Sequence, residues 1–275
     1  MTTLDVNIII SLYRRLLLRE PDTEGLKSLS DTCQSKDCFD KLITTFLESQ
    51  EFSSKIHSFT RKYGGNNLRF TNDHSQYGEF MKILQIFMNM GAKHKIVVDV
   101  GANGKERSNS YDLLRHFGWF GVLIEANPAL YQSIDNDFSG LNYRLIKTAV
   151  SDISGQGRLA LGVNSDISSL SASNTANWGL VLDEIDVQVR RLHEILDELN
   201  IPYNFDLLSL DIEGFDVRVL NDLICNSNYR PEVIIIEATS EDGDLGATGL
   251  LPLVCDIYKL VSSTTANLIL SRRLG

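Results

Sequence analysis

A chain of 275 residues exceeds one small domain and suits either one large domain or two unequal ones. With 43% hydrophobic residues and only 5 prolines it can bury a sizeable core, which excludes a disordered chain. Its 26 Lys plus Arg face 36 Asp plus Glu, and a net charge of −10 without a dense basic stripe disfavours nucleic acid as a partner.

From the N-terminus, Val6, Ile9, Ile10, Tyr13 and Leu17 recur at helical spacing, and Phe39, Leu42, Ile43, Phe46 and Leu47 do so again. Between them, residues 19–25 form a loop that restarts a helix, since Pro21 cannot continue one and Asp22 or Thr23 can cap the next. Residues 1–60 therefore read as a small helical domain. The apolar start lacks a basic leader and a cleavage site, so it is a helix face and not a signal peptide. No run approaches the roughly eighteen apolar residues of a membrane span. Cys33, Cys38, Cys225 and Cys255 show neither CxxC nor metal-finger spacing and read as reduced thiols of a cytoplasmic protein, a Cys33–Cys38 disulfide being the lesser alternative.

Residues 61–75 turn polar around Gly64 and Gly65, which is linker composition, and a second domain is expected over 76–275. It opens with an amphipathic helix carrying Tyr77, Phe80, Met81, Leu84, Phe87 and Met88, ended by Gly91. Apolar runs of strand length then alternate with helical patterns: 96–100, 121–125, 143–148, 206–211, 233–238, 255–261 and 266–271. That alternation predicts an α/β fold with a seven-stranded, mainly parallel, Rossmann-like sheet. The last two runs are joined too tightly for a crossover helix, so the sheet should end antiparallel. The Ser- and Asn-rich stretch 164–177 reads as a surface loop in preference to a lid over substrate.

Four segments at strand ends carry the chemistry. Asp99-Val100-Gly101-Ala102-Asn103-Gly104 follows the first strand, where ligands bind in open α/β sheets. Asn103 and Glu106 occupy places where a dinucleotide fingerprint needs glycine, and no phosphate-cradling GxxxxGK[ST] occurs. Glu125 ends the second strand where a carboxylate can accept both hydroxyls of a ribose, a helix cap being the alternative. Asp152 after the third strand either accepts from an adenine or begins a turn. Asp211-Ile212-Glu213-Gly214 closes the fourth strand. Asp211 and Glu213 can steady a cation or take a proton from a hydroxyl, or Asp211 merely caps the helix near Asp216. Asp211, Glu213 and Glu237 are the oxygen ligands available to a divalent ion, although none is expected.

Through VVDVGANG, LIEANP, AVSDISGQG, LLSLDIEGFDVRVL and VIIIEATS, residues 95–240 resemble the FkbM-type methyltransferase family. The resemblance implies a class I methyltransferase fold, S-adenosylmethionine as methyl donor, and O-methylation of a hydroxyl on a sugar, glycan or glycosylated natural product. It implies methionine-end contacts at Asp99, Gly101, Ala102 and Asn103, a ribose contact at Glu125 flanked by Ala126 and Asn127, an adenine wall at Val150 with Asp152, and active-site carboxylates Asp211 and Glu213. Ala126 stands where the family commonly has proline, and residues 105–107 are charged where it is usually aromatic or small. Two other functions stay open: N-methylation of an amino sugar, and a catalytically inactive binding or assembly module. Residues 1–55, through Arg19, Pro21, Asp22, Gly25, Ser49, Glu51 and Phe52, resemble a small helical domain of unknown function found in bacterial surface-associated proteins and beside sugar-modifying enzymes. That resemblance implies docking of a partner or homo-oligomerisation.

Overall fold

The computed structural model describes residues 6–17, 19–32, 42, 45–46, 49–52, 73–163, 168–171, 175–176, 180–238 and 245–273. Cys33, Cys38, the glycines at 64 and 65, and most of the Ser- and Asn-rich stretch lie outside these residues. The chain packs as two compact units, one of residues 1–74 with 80–91 and one of 75–79 with 92–275. Helix Glu79–Met90, which the sequence pattern places at the start of the second domain, thus has all but its first residue in the first unit or at its end.

In the first unit, helix Val6–Leu16 forms where the apolar spacing predicts it and helix Thr23–Thr32 where the loop after Pro21 predicts a restart. Ile9, Leu12, Tyr13 and Leu17 pack with Leu42, Phe46 and Phe52 in one apolar core. The polar residues of the loop lock it in place. Arg19 makes a forked pair with Glu51 at 2.7 and 2.9 Å, Asp22 accepts the Gly25 N–H at 2.7 Å, and Ser49 Oγ accepts the Phe52 N–H at 3.1 Å. A β-carbon at Gly25 would overlap the Tyr13 hydroxyl, so only glycine lets this helix approach Tyr13.

The second unit is built on a seven-stranded sheet. Its strands are β1 (Ile96–Val100), β2 (Phe120–Glu125), β3 (Tyr143–Lys147), β8 (Leu207–Leu210), β9 (Val233–Glu237), β10 (Tyr258–Ser263) and β11 (Asn267–Arg272), in the order β10-β11-β9-β8-β1-β2-β3. The first five are mutually parallel, and β11 runs antiparallel between β9 and β10. The predicted terminal hairpin therefore forms, with the later strand inside the sheet and the earlier one at its edge. Val98, Val100, Leu208, Leu210, Ile234 and Ile236 alternate onto one face and pack against helices Leu192–Glu198 and Asp216–Asn226. Val97, Leu207 and Ile235, on the opposite face, are also buried, which is why these strands read as apolar runs.

A second, four-stranded sheet, not foreseen from the sequence, follows β3. It comprises β4 (Ala149–Ser151), β5 (Gly155–Gly162), β6 (Ser168–Ser169) and β7 (Val181–Arg191), in the order β4-β7-β5-β6. Ala149, Leu159, Val187 and Val189 form its small core. Strand order reverses beside β1, whose neighbours are β2 and β8, so the carboxyl ends of these strands form a switch-point crevice.

Candidate active site

The chain turns after β1 at Gly101, with φ of 86°, a conformation that costs glycine nothing. A β-carbon there would overlap the Asp211 carbonyl oxygen. The N–H groups of Gly101 and Ala102 donate to the Ile124 carbonyl at 2.9 and 3.1 Å, and the Asp211 N–H donates to the Val100 carbonyl at 3.0 Å. These bonds lace the ends of β1, β2 and β8 into one rim.

Two cavities open on this rim. The first, about 580 Å³, has an apolar wall that includes Ile124, Val150, Leu159, Leu170 and Phe215, and Glu125 also lines it. The second, about 640 Å³, is polar and acidic, with Asp99, Glu106, Asp211, Glu213 and Glu237 in its lining. Gly101, Asn103, Asp211 and Glu213 belong to both, so the cavities meet at the end of β8.

The carboxylates here differ in their wiring. Glu125 accepts the Asn127 N–H at 2.6 Å, while the cap of the following turn is Asn127, whose Oδ1 accepts the Ala129 N–H at 3.0 Å. Burial lifts Glu125 to about 7, against the pull of the Asn127 and Ala126 N–H groups. Asp99 is buried under Ser110, whose hydroxyl reaches it at 2.5 Å, and burial raises it above the usual carboxylate range although the Ser110 and Ser209 hydroxyls oppose this. The helix after β8 has Phe215 at its N-cap position and no side-chain capping bond, so Asp211 does not cap it. Asp216, its first residue, instead ties the preceding loop by accepting the N–H groups of Ile212 and Gly214 at 3.0 and 3.1 Å. Burial, and then the charges of Glu237, Asp216, Asp99 and Glu79, push Asp211 up to about 8. Burial with Glu213 and Asp216 likewise puts Glu237 at about 7. Among the described residues, no group of three or more His, Cys, Asp or Glu side chains is arranged to hold a metal ion.

A glycine-turned loop, a carboxylate at the end of β2 and an acidic loop after β8 on this strand order suit a nucleoside-bearing donor. The family model described as Methyltransferase FkbM domain matches residues 99–259. The chain belongs to the FkbM methyltransferase family. Two solved structures are matched: "Crystal structure of a putative O-methyltransferase from Klebsiella pneumoniae", 12% identical, covering 86% of this chain and 96% of that one with a TM-score of 0.41, and "Human methyltransferase 10 domain containing protein", 7% identical, covering 80% and 94% with a TM-score of 0.37. No curated protein matches in sequence. Among the described residues, no helix is long and apolar enough to cross a membrane.

In this FkbM-family chain the structure brings most of the sequence-predicted residues together. Gly101, Asn103, Glu125, Ala126 and Val150 line the first cavity with Asp211 and Glu213, and Asp99, Ala102 and Glu237 line the second. Two stand apart from both cavities. Asp152 is held by Arg218 through two contacts of 2.8 Å and by Ser151 at 2.9 Å, and Asn127 is buried as a cap with Nδ2 on Ser168 at 3.4 Å. Part of the expected surface loop is a wall instead: Ser168–Leu170 lines the first cavity, and Ser169 Oγ donates to the Glu213 carbonyl at 3.0 Å. Ser209 and Asn109, both at the second cavity, were missed. A serine inside the apolar run LLSL was the one available signal.

Proposed function

We propose that the chain is an S-adenosylmethionine-dependent O-methyltransferase acting on a hydroxyl of a sugar, glycan or glycosylated natural product. The observation that carries the reading is the junction at Asp211: a half-buried carboxylate that does not cap the following helix and is shared by an apolar-walled cavity and an acidic one. The donor fits the first cavity by its chemistry. Glu125 offers an acceptor for two ribose hydroxyls, Val150 and Leu159 offer an apolar wall to adenine, and Gly101, which packs against the Asp211 carbonyl, lines the cavity with backbone alone.

S-adenosylmethionine, when bound, supplies an activated methyl group on a cationic sulfur that leaves as a neutral thioether. The chain's part is positioning, together with the removal of one proton. A hydroxyl must shed its proton as its oxygen bonds to carbon, and Asp211 is the base we assign, with Glu213 beside it in the same loop. A nearby positive charge lowers a carboxyl pKa, so Asp211 ionises when the donor arrives.

Melting with and without ligand tests the donor. A ligand at a hundred times its dissociation constant stabilises by about 2.7 kcal/mol, a shift of several degrees. A shift with NAD but none with S-adenosylmethionine would sink the reading. Label transfer from S-adenosylmethionine to a glycan panel tests the acceptor, and transfer only to amino groups would replace O- by N-methylation.

A further inference from the structure

We propose that the second cavity is the acceptor site and that it selects an uncharged or aminated sugar over an anionic one, with Asn109 Oδ1 as its buried hydrogen-bond acceptor; this rests on the methyltransferase reading of the first cavity. The charge of the lining is one-sided. Asp99, Glu106, Asp211, Glu213 and Glu237 face Arg107, the single basic residue lining the cavity among the described residues. Burial, and after it the charges of neighbouring carboxylates, already hold the protons of Asp211 and Glu237 well above the usual range. A carboxylate or phosphate on the acceptor would set a further negative charge beside this crowded group of acids, whereas a hydroxyl or an ammonium group would not.

Asn109 is the independent observation. It lines the cavity, is 9% exposed, and its Oδ1 has no hydrogen-bond partner among the described residues. Its nitrogen is taken from beneath, Nδ2 donating to Ser209 Oγ at 3.2 Å. The amide is left with its oxygen for a ligand. A buried acceptor without a partner is costly, and a ligand O–H or N–H that reaches it removes the cost.

Calorimetry on the full-length protein tests this, beginning with S-adenosylhomocysteine alone. If that ligand does not bind, the methyltransferase reading falls and the proposal falls with it. The loaded protein is then titrated with glucose, glucosamine, glucuronate and glucose 6-phosphate at equal ionic strength. Glucose and glucosamine are expected to bind, with both anions weaker by about tenfold or more, the effect of a close like charge. Asn109→Leu, of similar volume but without an acceptor, should weaken glucose roughly 3- to 10-fold, the range for one hydrogen bond, and leave S-adenosylhomocysteine affinity within about twofold. Asn109→Asp keeps an acceptor oxygen and should retain glucosamine. Anions binding as well as glucose, or none of the four binding, overturns the proposal. So does an Asn109→Leu protein that loses S-adenosylhomocysteine affinity while its glucose affinity holds, because the amide then serves the donor.

Discussion

At the scale of single residues, what distinguishes Asp211 from the acids around it is what it does not do. Asp216 ties the loop after β8, Asp99 takes the Ser110 hydroxyl, and Glu125 takes a backbone N–H, so each of those has a structural duty that Asp211 lacks. Asp211→Asn should lower turnover by about 10² to 10⁴, the worth of a general base, and change donor affinity far less; Glu213→Gln should show a smaller loss. The pH profile carries the same assignment. With Asp211 at about 8 in the unliganded protein, kcat/KM for the donor should rise with pH and level off near that value. The plateau of kcat should come at lower pH, since a bound cation depresses the carboxyl, and Asp211→Asn should abolish both dependences. Wild-type profiles in that variant would remove Asp211 from the chemistry. Which acids the sequence could distinguish follows from this. Asp99, Glu125 and Asp211 all sit at strand ends and are legible as a set, whereas their division between wiring and chemistry depends on Ser110, Ser209 and Asn127, partners distant in the chain or hidden in a turn.

At the scale of elements, the parallel strands were legible because burial on both faces turns them into apolar runs such as Val233–Glu237. The second sheet was not, because its two long strands, β5 and β7, bury one face or less. β5 begins GQGR with its first residues mostly exposed, and the inward Ile185, Val187 and Val189 of β7 alternate with charges in a stretch that also fits a loop before a helix. That sheet supplies Leu159, Ser168 and Ser169 to the first cavity, so that wall of the site was half hidden. The loop after β8 gives the sharper test at this scale. Glu213 has φ of 51°, a left-handed conformation in which a non-glycine residue is seldom found, and Asp216 holds it by bonding the N–H groups on either side. Asp216→Ala leaves both N–H groups without that partner. It should cost about 1 to 3 kcal/mol in a melt and speed amide exchange at Ile212 and Gly214, whereas Asp211→Asn should leave that exchange unchanged.

At the scale of the molecule, the two units have separate cores, and both cavities lie within the second. A chain beginning near residue 72 is expected to bind S-adenosylmethionine, because it keeps Gln76 of the second cavity and Glu79, which accepts from Thr264 Oγ1 at 2.7 Å and Asn267 Nδ2 at 2.9 Å. One beginning at residue 92 loses those bonds and should melt lower. The widest consequence of the acidic site is its effect on stability. Asp99, Glu125, Asp211 and Glu237 all have folded-state pKa values raised above their ordinary ones. The folded chain therefore binds more protons than the unfolded chain between about pH 4 and 8, and stability falls as pH rises through that window. Each group's contribution is complete below its unfolded pKa and is lost as pH passes its folded value, about 7 for Glu125 and Glu237 and about 8 for Asp211. The unliganded protein should thus melt lower at about pH 9 than at about pH 6, and Asp211→Asn, neutral at both, should recover part of the loss while being the slowest variant in turnover. A cation in the site opposes the same repulsion, so S-adenosylmethionine should raise the melting temperature more than neutral S-adenosylhomocysteine does at about pH 9, with the gap narrowing at about pH 6. Equal shifts at both pH values, or an Asp211→Asn protein that melts below wild type at high pH, would show that these carboxylates are relieved by protein groups and not by the charge of the donor.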